Sequence, residues 1–271
     1  MYNRGFEAQV AVDIFKNKTF TWTLDVNATT FKNEITKMPL KPDGTPKEII
    51  SGSKKLAVGR SIYDYWLRSY AGVDPANGDA LYWKDVTVNG EVTRQTTNDQ
   101  NAATYYYRGT SIPDVYGGIT NTFKAFGFDL SVLLSYQLGG KTYDTNYAAL
   151  MHPGTFGSNW STDILNRWTA SNTTTSVPRL QNGYVAPTAA SDRWLVSSSF
   201  LSLKNVTFGY TLPSDIAKKI GIGGMRVYAT GDNLKLFAKR KGLDPQQTFG
   251  GTTDNTYVPA RIVSLGLNIT F

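Results

Sequence analysis

The stretch RIVSLGLNITF, residues 261–271, decides the fold. Val263, Leu265, Leu267, Ile269 and Phe271 are large and apolar, and Ser264, Gly266, Asn268 and Thr270 stand between them. A repeat of two residues is the mark of a strand with one apolar and one polar face. The pattern recurs upstream. In FEAQVAVDIF (6–15), Phe6, Ala8, Val10, Val12 and Ile14 oppose Glu7, Gln9, Ala11 and Asp13. In TFTWTLDVNATT (19–30), Phe20, Trp22, Leu24, Val26 and Ala28 oppose Thr21, Thr23, Asp25 and Asn27. FGFDLSVLLSYQLGG (126–140) and NVTFGYTLP (205–213) read the same way, with Leu133 the one exception. GGITNTFKAF (117–126) and MRVYATGDNL (225–234) have strand composition but mixed faces.

The connections between these strands alternate in length. Short links fall at KNK (16–18), KAFG (124–127) and PSDIAKKIGIGG (213–224), and long ones over roughly 34–116, 139–197 and 237–258. Transmembrane barrels follow this rule, with short periplasmic turns and long extracellular loops. Strand length agrees, because a tilted strand needs about 9–11 residues to cross a bilayer. ALYWKD (80–85) is too short to cross, so residues 61–83 read as a hairpin-like elaboration inside the first long loop. The expected fold class is therefore all-β, with about seven antiparallel spanning strands, fewer than the eight with which membrane barrels begin. An open sheet edge in lipid would leave N–H and C=O groups without partners. The expectation is that residues 1–271 form the C-terminal part of a larger transmembrane β-barrel.

Bulk properties narrow the classes further. Only 18% of the 271 residues are charged, below the roughly 25% usual for soluble domains. The net charge is +7 but the basic residues are scattered, with KRK (239–241) their only block. Phosphate tracking needs a basic stripe, so nucleic acid is not an expected partner. There is no cysteine, hence no disulfide framework and no thiol chemistry. No run of about 18 apolar residues suggests a membrane helix, and MYNRGFEAQV lacks the basic start and apolar core of a secretory signal.

The order and spacing of several stretches carry a resemblance. They are RGFEAQV (4–10), FTWTLDVNATTFKNEI (20–35), YAGVDPANGDALYW (70–83) and GGITNTFKAFGFDLSVLLSYQLGGKTYD (117–144). SSSFLSLKNVTFGYTLP (197–213), RVYATGDNL (226–234), KGLDPQ (241–246) and the terminal RIVSLGLNITF complete the set. Together they resemble the C-terminal segment of SusC/RagA-type TonB-linked outer-membrane transporters of Bacteroidota. The resemblance implies a wide barrel in the cell outer membrane, with a plug and N-terminal domains that this chain lacks. It also implies a SusD-like surface lipoprotein as partner, and energy from the TonB complex through the missing N-terminal part. The implied function is active import of large nutrients, oligosaccharides or peptides, with no bond chemistry and so no enzyme activity. Val263, Leu265, Leu267, Ile269 and Phe271 would face lipid and resemble the C-terminal signal read by the barrel-assembly machinery.

Tyr105, Tyr106 and Tyr107 are consecutive, and Trp160, Trp168 and Trp194 fall in the second long loop. Aromatic faces suit sugar rings or peptide side chains and mark recognition surfaces, so these six are the candidate ligand or lid contacts. The competing role is packing of the loops, or a place in the interfacial aromatic belt. Asp74, Asn77 and Asp79 could offer oxygens to calcium, but Asp-Pro and Asn-Gly are turn chemistry, and the turn is favoured. His152 is the only histidine, and a metal site would need partners that neither cysteine nor a second histidine supplies. No metal, cofactor or catalytic residue is expected. STDILNRW (161–168) reads as a short helix capped by Ser161 or Thr162, and residues 213–224 as a turn with its own helical turn capped by Ser214. The alternatives are a soluble all-β carbohydrate-binding module, whose apolar faces would pack together as a core, and a barrel fragment acting as an assembly client.

Overall fold

A computed structural model of the chain describes residues 1–247, 249–253 and 257–271. In chain order, β1 (Tyr2–Lys16) and β2 (Phe20–Glu34) form a long hairpin. The connection that follows carries β3 (Ile49–Ser51), β4 (Lys54–Leu56), β5 (Asp64–Arg68), β6 (Tyr70–Val73), β7 (Ala80–Val88), β8 (Glu91–Thr97) and β9 (Tyr105–Thr110). A second hairpin is β10 (Val115–Ala125) and β11 (Phe128–Leu138). The next connection holds β12 (Lys141–Tyr143), α1 (Thr145–Leu150), short 3-10 turns and β13 (Leu195–Ser197). Then come β14 (Phe200–Thr211), α2 (Ser214–Lys219), β15 (Gly224–Ala238) and, after a third long connection, β16 (Ile262–Thr270).

Seven of these strands make one antiparallel sheet in the order β1-β2-β10-β11-β14-β15-β16. These are the strands whose alternation or composition marks them in the sequence. Residues 61–83 stay out of this sheet: β5 pairs with β9 and β6 with β7. The register explains why a period of two dominates. One row crosses all seven strands as Phe15, Trp22, Phe123, Leu130, Phe208, Ala229 and Leu265. The adjacent row on the other face runs Asp13, Thr23, Thr122, Ser131, Thr207, Thr230 and Ser264. The sheet therefore has one predominantly apolar side and one predominantly polar side. Among the described residues no second layer covers the apolar side: Phe6 is 69% exposed, Val263 73% and Leu265 85%. A soluble binding module would have packed these rows into a core.

The mixed faces also resolve. Asn121 sits in an apolar row between Leu24 and Val132, and its side-chain oxygen accepts the Trp22 indole N–H at 3.1 Å. A polar group facing lipid is tolerable when it has a partner. On β15, Met225, Val227 and Ala229 take the apolar side, while Arg226, Tyr228 and Thr230 take the polar one. The Tyr228 ring lies over Gly266, where any Cβ would stand 2.2 Å from a ring carbon. Arg226 reaches across the bare Gly209 of β14 to grip Asp129 with both donors, at 2.6 and 3.2 Å. Leu133 stays on the polar side between Thr120 and Asn205.

At one end of the sheet the connections are residues 17–19, the pair Phe126–Gly127 and the α2 segment. Helix α2 follows Pro213, and Ser214 is its first residue rather than a side-chain cap. Proline suits that place because its fixed φ and missing N–H cost a helix nothing at its start. At the other end the long connections pack on each other into a loop domain. One core joins Tyr65, Leu67, Tyr143, Met151, Ile164, Val177 and Trp194, and a second joins Ala80, Tyr82, Ala103 and Ala186. All three long connections contribute ties. The Tyr65 hydroxyl donates to the Gly251 and Lys141 carbonyls, Thr145 bonds Thr253, and Arg240 pairs with Asp144 at 2.8 Å.

Candidate functional site

The pairing of β5 with β9 sorts the tyrosine run. Arg68 faces Tyr105, Leu67 faces Tyr106 and Trp66 faces Tyr107. Cross-strand partners share a face, so Tyr105 and Tyr107 stand with Trp66 and Arg68, and Tyr106 turns to the opposite side. The rings touch: Trp66 meets Tyr107 edge-on at 4.8 Å and stacks on Tyr105 at 6.3 Å. Cations lie on them, with Lys55 at 4.2 Å from Trp66, Arg60 at 4.0 Å from Tyr107 and Arg68 at 4.7 Å from Tyr105. Glu48 pairs with Lys55 at 2.8 Å. The Tyr107 hydroxyl is buried and finds no hydrogen-bond partner among the described residues. Burial pushes its pKa up, and the positive charges of Lys55 and Arg60 partly oppose that. The face can stack on a flat ligand and offer cationic donors to it. Trp66, Lys55, Arg60 and Arg68 escape a sequence reading because only strand pairing brings them to the tyrosines.

Tyr106 has a different role. Its hydroxyl donates to Asp85 at 2.5 Å, and Arg94 lies 4.9 Å from its ring and 3.6 Å from the same carboxylate. The phenol pKa is raised, by burial first and then by the bond to Asp85. This group locks β9 to β7.

The tryptophans separate as well. Trp194 is 1% exposed, bonded through its indole to the Ala189 carbonyl at 3.1 Å and packed edge-on against Tyr147. It is core, so its assignment as a ligand or lid contact is corrected: nothing of its ring reaches the surface. Trp168 lies on the loop surface over Gly78 and donates to the Pro75 carbonyl at 3.1 Å. Trp160 is partly exposed, stacks on His152 at 4.9 Å and donates to the His152 carbonyl at 2.9 Å. With Leu150, Phe156 and Leu165 it forms a set of exposed apolar side chains on the second loop. Phe156 carries no signal in the sequence because an isolated apolar residue in a loop makes no pattern.

The remaining candidates are structural. His152 accepts the Gly154 and Thr155 N–H groups on Nδ1, at 3.2 and 2.9 Å, and its Nε2 lies 3.3 Å from the Asn159 carbonyl. Both ring nitrogens are thereby used to fold the loop. Asp74 and Asn77 accept backbone N–H groups two residues on, and Asp79 holds Arg179 and Asn98 at 2.8 Å each. These oxygens build a turn, as Asp-Pro and Asn-Gly chemistry anticipates. Residues 161–168 form a 3-10 turn over Thr162–Asn166, capped by Ser161 and burying Ile164.

No protein-family model matches the chain. Over 99% of its length it is 27% identical to TonB-dependent receptor P3 of Formosa agariphila and 28% identical to the TonB-dependent receptor SusC of Bacteroides thetaiotaomicron. It covers only 28% and 26% of those proteins, a little over a quarter of their length. The fold matches the RagAB peptide transporter with a TM-score of 0.82 at 25% identity, covering 99% of this chain and 29% of that one. A closed-closed state of the RagAB peptide importer matches with a TM-score of 0.84 at 24% identity, with the same coverage. The chain is homologous to the C-terminal part of SusC/RagA-type TonB-dependent receptors. Its seven-stranded sheet is thus a stretch of barrel wall, and the row from Val263 to Phe271 is exposed on its apolar face.

In the loop domain of this receptor segment, burial raises the phenols of Tyr65, Tyr82 and Tyr143, the last to about 12. A group whose folded pKa exceeds its unfolded value stabilises fully below the unfolded pKa, near 10 for tyrosine, and loses that stabilisation as pH rises toward the folded value. The loop domain is therefore expected to open as pH climbs past about 10. Phenolate absorbance should rise together with protease sensitivity of the loops. Full ionisation while the loops stay protease-resistant would contradict the burial of these rings.

Proposed function

We propose that residues 1–271 are the C-terminal wall and extracellular loop domain of a TonB-dependent importer in the outer membrane. The observation that carries this is the uncovered apolar side of the seven-stranded sheet, whose row from Phe15 to Leu265 is apolar on every strand from β1 to β16. Such a face is stable only against hydrocarbon. The free edges of β1 and β16 would pair with strands of the same transporter outside this chain, since lipid cannot satisfy them. Its plug and TonB-contacting parts would lie there too. The C-terminal row from Val263 to Phe271 would be read by the barrel-assembly machinery during insertion.

The nutrients would be oligosaccharides or peptides. The likeness to the RagAB peptide transporter supports the second. The Trp66–Tyr105–Tyr107 face supports either, since stacked rings with cationic neighbours accept sugar faces and peptide side chains alike. A SusD-like lipoprotein would close over the loop domain, and the exposed Leu150, Phe156, Trp160 and Leu165 offer it an apolar surface. The segment contributes wall, loops and docking surface, and no bond is made or broken on it.

Fractionation tests the reading. The intact protein should sediment with outer membranes, resist alkaline carbonate and need detergent for release. Recovery from the aqueous fraction without detergent would refute it and favour a soluble binding module.

A further inference from the structure

On the polar side of the β1–β2 hairpin one ring interrupts the pattern. The register sets Asn3 against Asn33, Gly5 against Phe31, Glu7 against Thr29 and Gln9 against Asn27, and Tyr116 of β10 comes next to Thr29. All of these side chains therefore share one face of the sheet. Gly5 has room for nothing larger, because a Cβ there would stand 2.2 Å from the Thr30 carbonyl oxygen and 3.0 Å from the Phe31 Cβ. Two rings from the long connections join Phe31 on this side. Phe249 stacks on it at 6.0 Å, and Tyr63 meets Phe249 edge-on at 5.7 Å. Phe249 nevertheless stays 52% exposed and Tyr116 37%. Rings that serve only as core are covered, and these two are open.

The four rings border a cavity of about 530 Å³ at the loop end of the wall, with Glu7 and Thr29 beside them. Its polar groups are unequally used. Asn33 donates to Asn3 at 2.7 Å and accepts the Ser61 hydroxyl and the Ile62 N–H at 3.0 and 2.9 Å, which pins the first long connection beside the cavity. Gln9 gives its amide to both oxygens of Asp25, at 3.2 and 3.1 Å. Glu7 is exposed and, among the described residues, has neither ion pair nor hydrogen bond. The nearby cations do not answer it. Arg4 borders the cavity, but its side chain belongs to the opposite face, 5.6 Å from the centre of the Tyr2 ring. The Met1 amine donates to the Thr36 hydroxyl at 3.0 Å. Further down the polar side the hairpin adds Asp13 and Asp25, and Lys16 at the far turn is bound to Asp13 at 3.0 Å.

We propose that this cavity is a subsite for a lysine or arginine side chain of an imported peptide. The inference rests on the importer reading, which turns the polar side of the wall toward the lumen. The alkyl stem of a basic side chain lies along apolar surface while its charged head stays free, and aromatic faces attract the charge itself. Glu7 supplies the counter-charge through a charge-assisted hydrogen bond. A carboxylate only accepts and a basic head only donates, so the two are matched. A neutral sugar would meet the rings and leave the charge unanswered.

Peptide retention by the intact protein in detergent tests this with two probes: a pool of synthetic ten-residue peptides carrying one lysine each, and the same pool with that lysine Nε-acetylated. The unmodified pool should be retained preferentially, and added salt should narrow the difference. Glu7→Gln should lower retention of the lysine pool roughly tenfold and bring the two pools level, while Glu7→Asp keeps the preference. Glu34→Gln removes a carboxylate from the opposite face of the same hairpin and should leave the preference intact. Phe249→Ala should weaken the lysine pool while the loops stay protease-resistant, which a purely structural role for the ring does not give. Equal retention of the two pools by the parent protein, or a preference that survives Glu7→Gln, would overturn the proposal. If the protein instead leaves the membrane without detergent, the importer reading itself has failed, a result that fractionation reads separately.

Discussion

Replacing Trp194 by alanine is expected to unfold the loop domain and leave the barrel wall standing. The indole lies at the centre of a core that draws on β5, β12, α1 and the 162–166 turn, and it is 1% exposed. Its N–H also satisfies the Ala189 carbonyl. Truncation removes a large buried ring, leaves a cavity that a cross-linked loop cluster cannot fill, and frees a carbonyl. Substitutions of this kind cost about 3–5 kcal/mol, a large share of what a domain of this size possesses. The wall has its own ladder of strand pairs and does not depend on this core. Limited proteolysis of the intact protein in membranes should therefore cut Trp194→Ala within residues 139–199 and spare the strands. Trp160→Ala, at a partly exposed ring, should leave the loops resistant. Equal sensitivity of the two variants would show that Trp194 is not the keystone described.

The contrast between those two tryptophans marks where the sequence stops being readable. The wall was legible because each strand carries its own instruction: alternate residues meet different media, and Val263 through Phe271 show this without reference to any neighbour. Asn121 blurs the faces of one strand because its partner, Trp22, is distant in sequence and adjacent only through the register. The loop domain was illegible for the same reason on a larger scale. Trp66 reaches Tyr107 through the β5–β9 pairing, Tyr65 reaches Gly251 across 186 residues, and neither contact has a local period. A buried Trp194 and a half-exposed Trp160 look alike in a loop sequence, since what separates them is what packs above. Alternation also names only the two faces. The uncovered apolar row, rather than the pattern, is what separates a wall in lipid from half of a soluble sandwich.

That row supports a paired substitution on one strand. Leu265 and Ser264 are neighbours on β16, yet Leu265 ends the apolar row through Ala229 and Phe208, and Ser264 ends the polar row through Thr230 and Thr207. Leu265→Arg places a guanidinium on the outer face, where a charge near the bilayer midplane costs about 2–4 kcal/mol. Ser264→Arg places the same group on the inner face, beside hydroxyls that can solvate it, and should cost little. The side chain, the strand and the distance from the terminus are nearly constant between the variants, so propensity and charge cancel in the comparison. Assembled barrel in outer-membrane fractions, read as the heat-modifiable band of the intact protein, should fall sharply for Leu265→Arg and remain near the parent level for Ser264→Arg. The reverse order would mean that the greasy face looks inward, and equal loss would mean that β16 tolerates no bulk on either side. The Tyr228 ring fills the inner face two residues further along, over Gly266, whereas Ser264 is exposed. The sign of the difference between two adjacent residues thus reports which side of the sheet meets lipid.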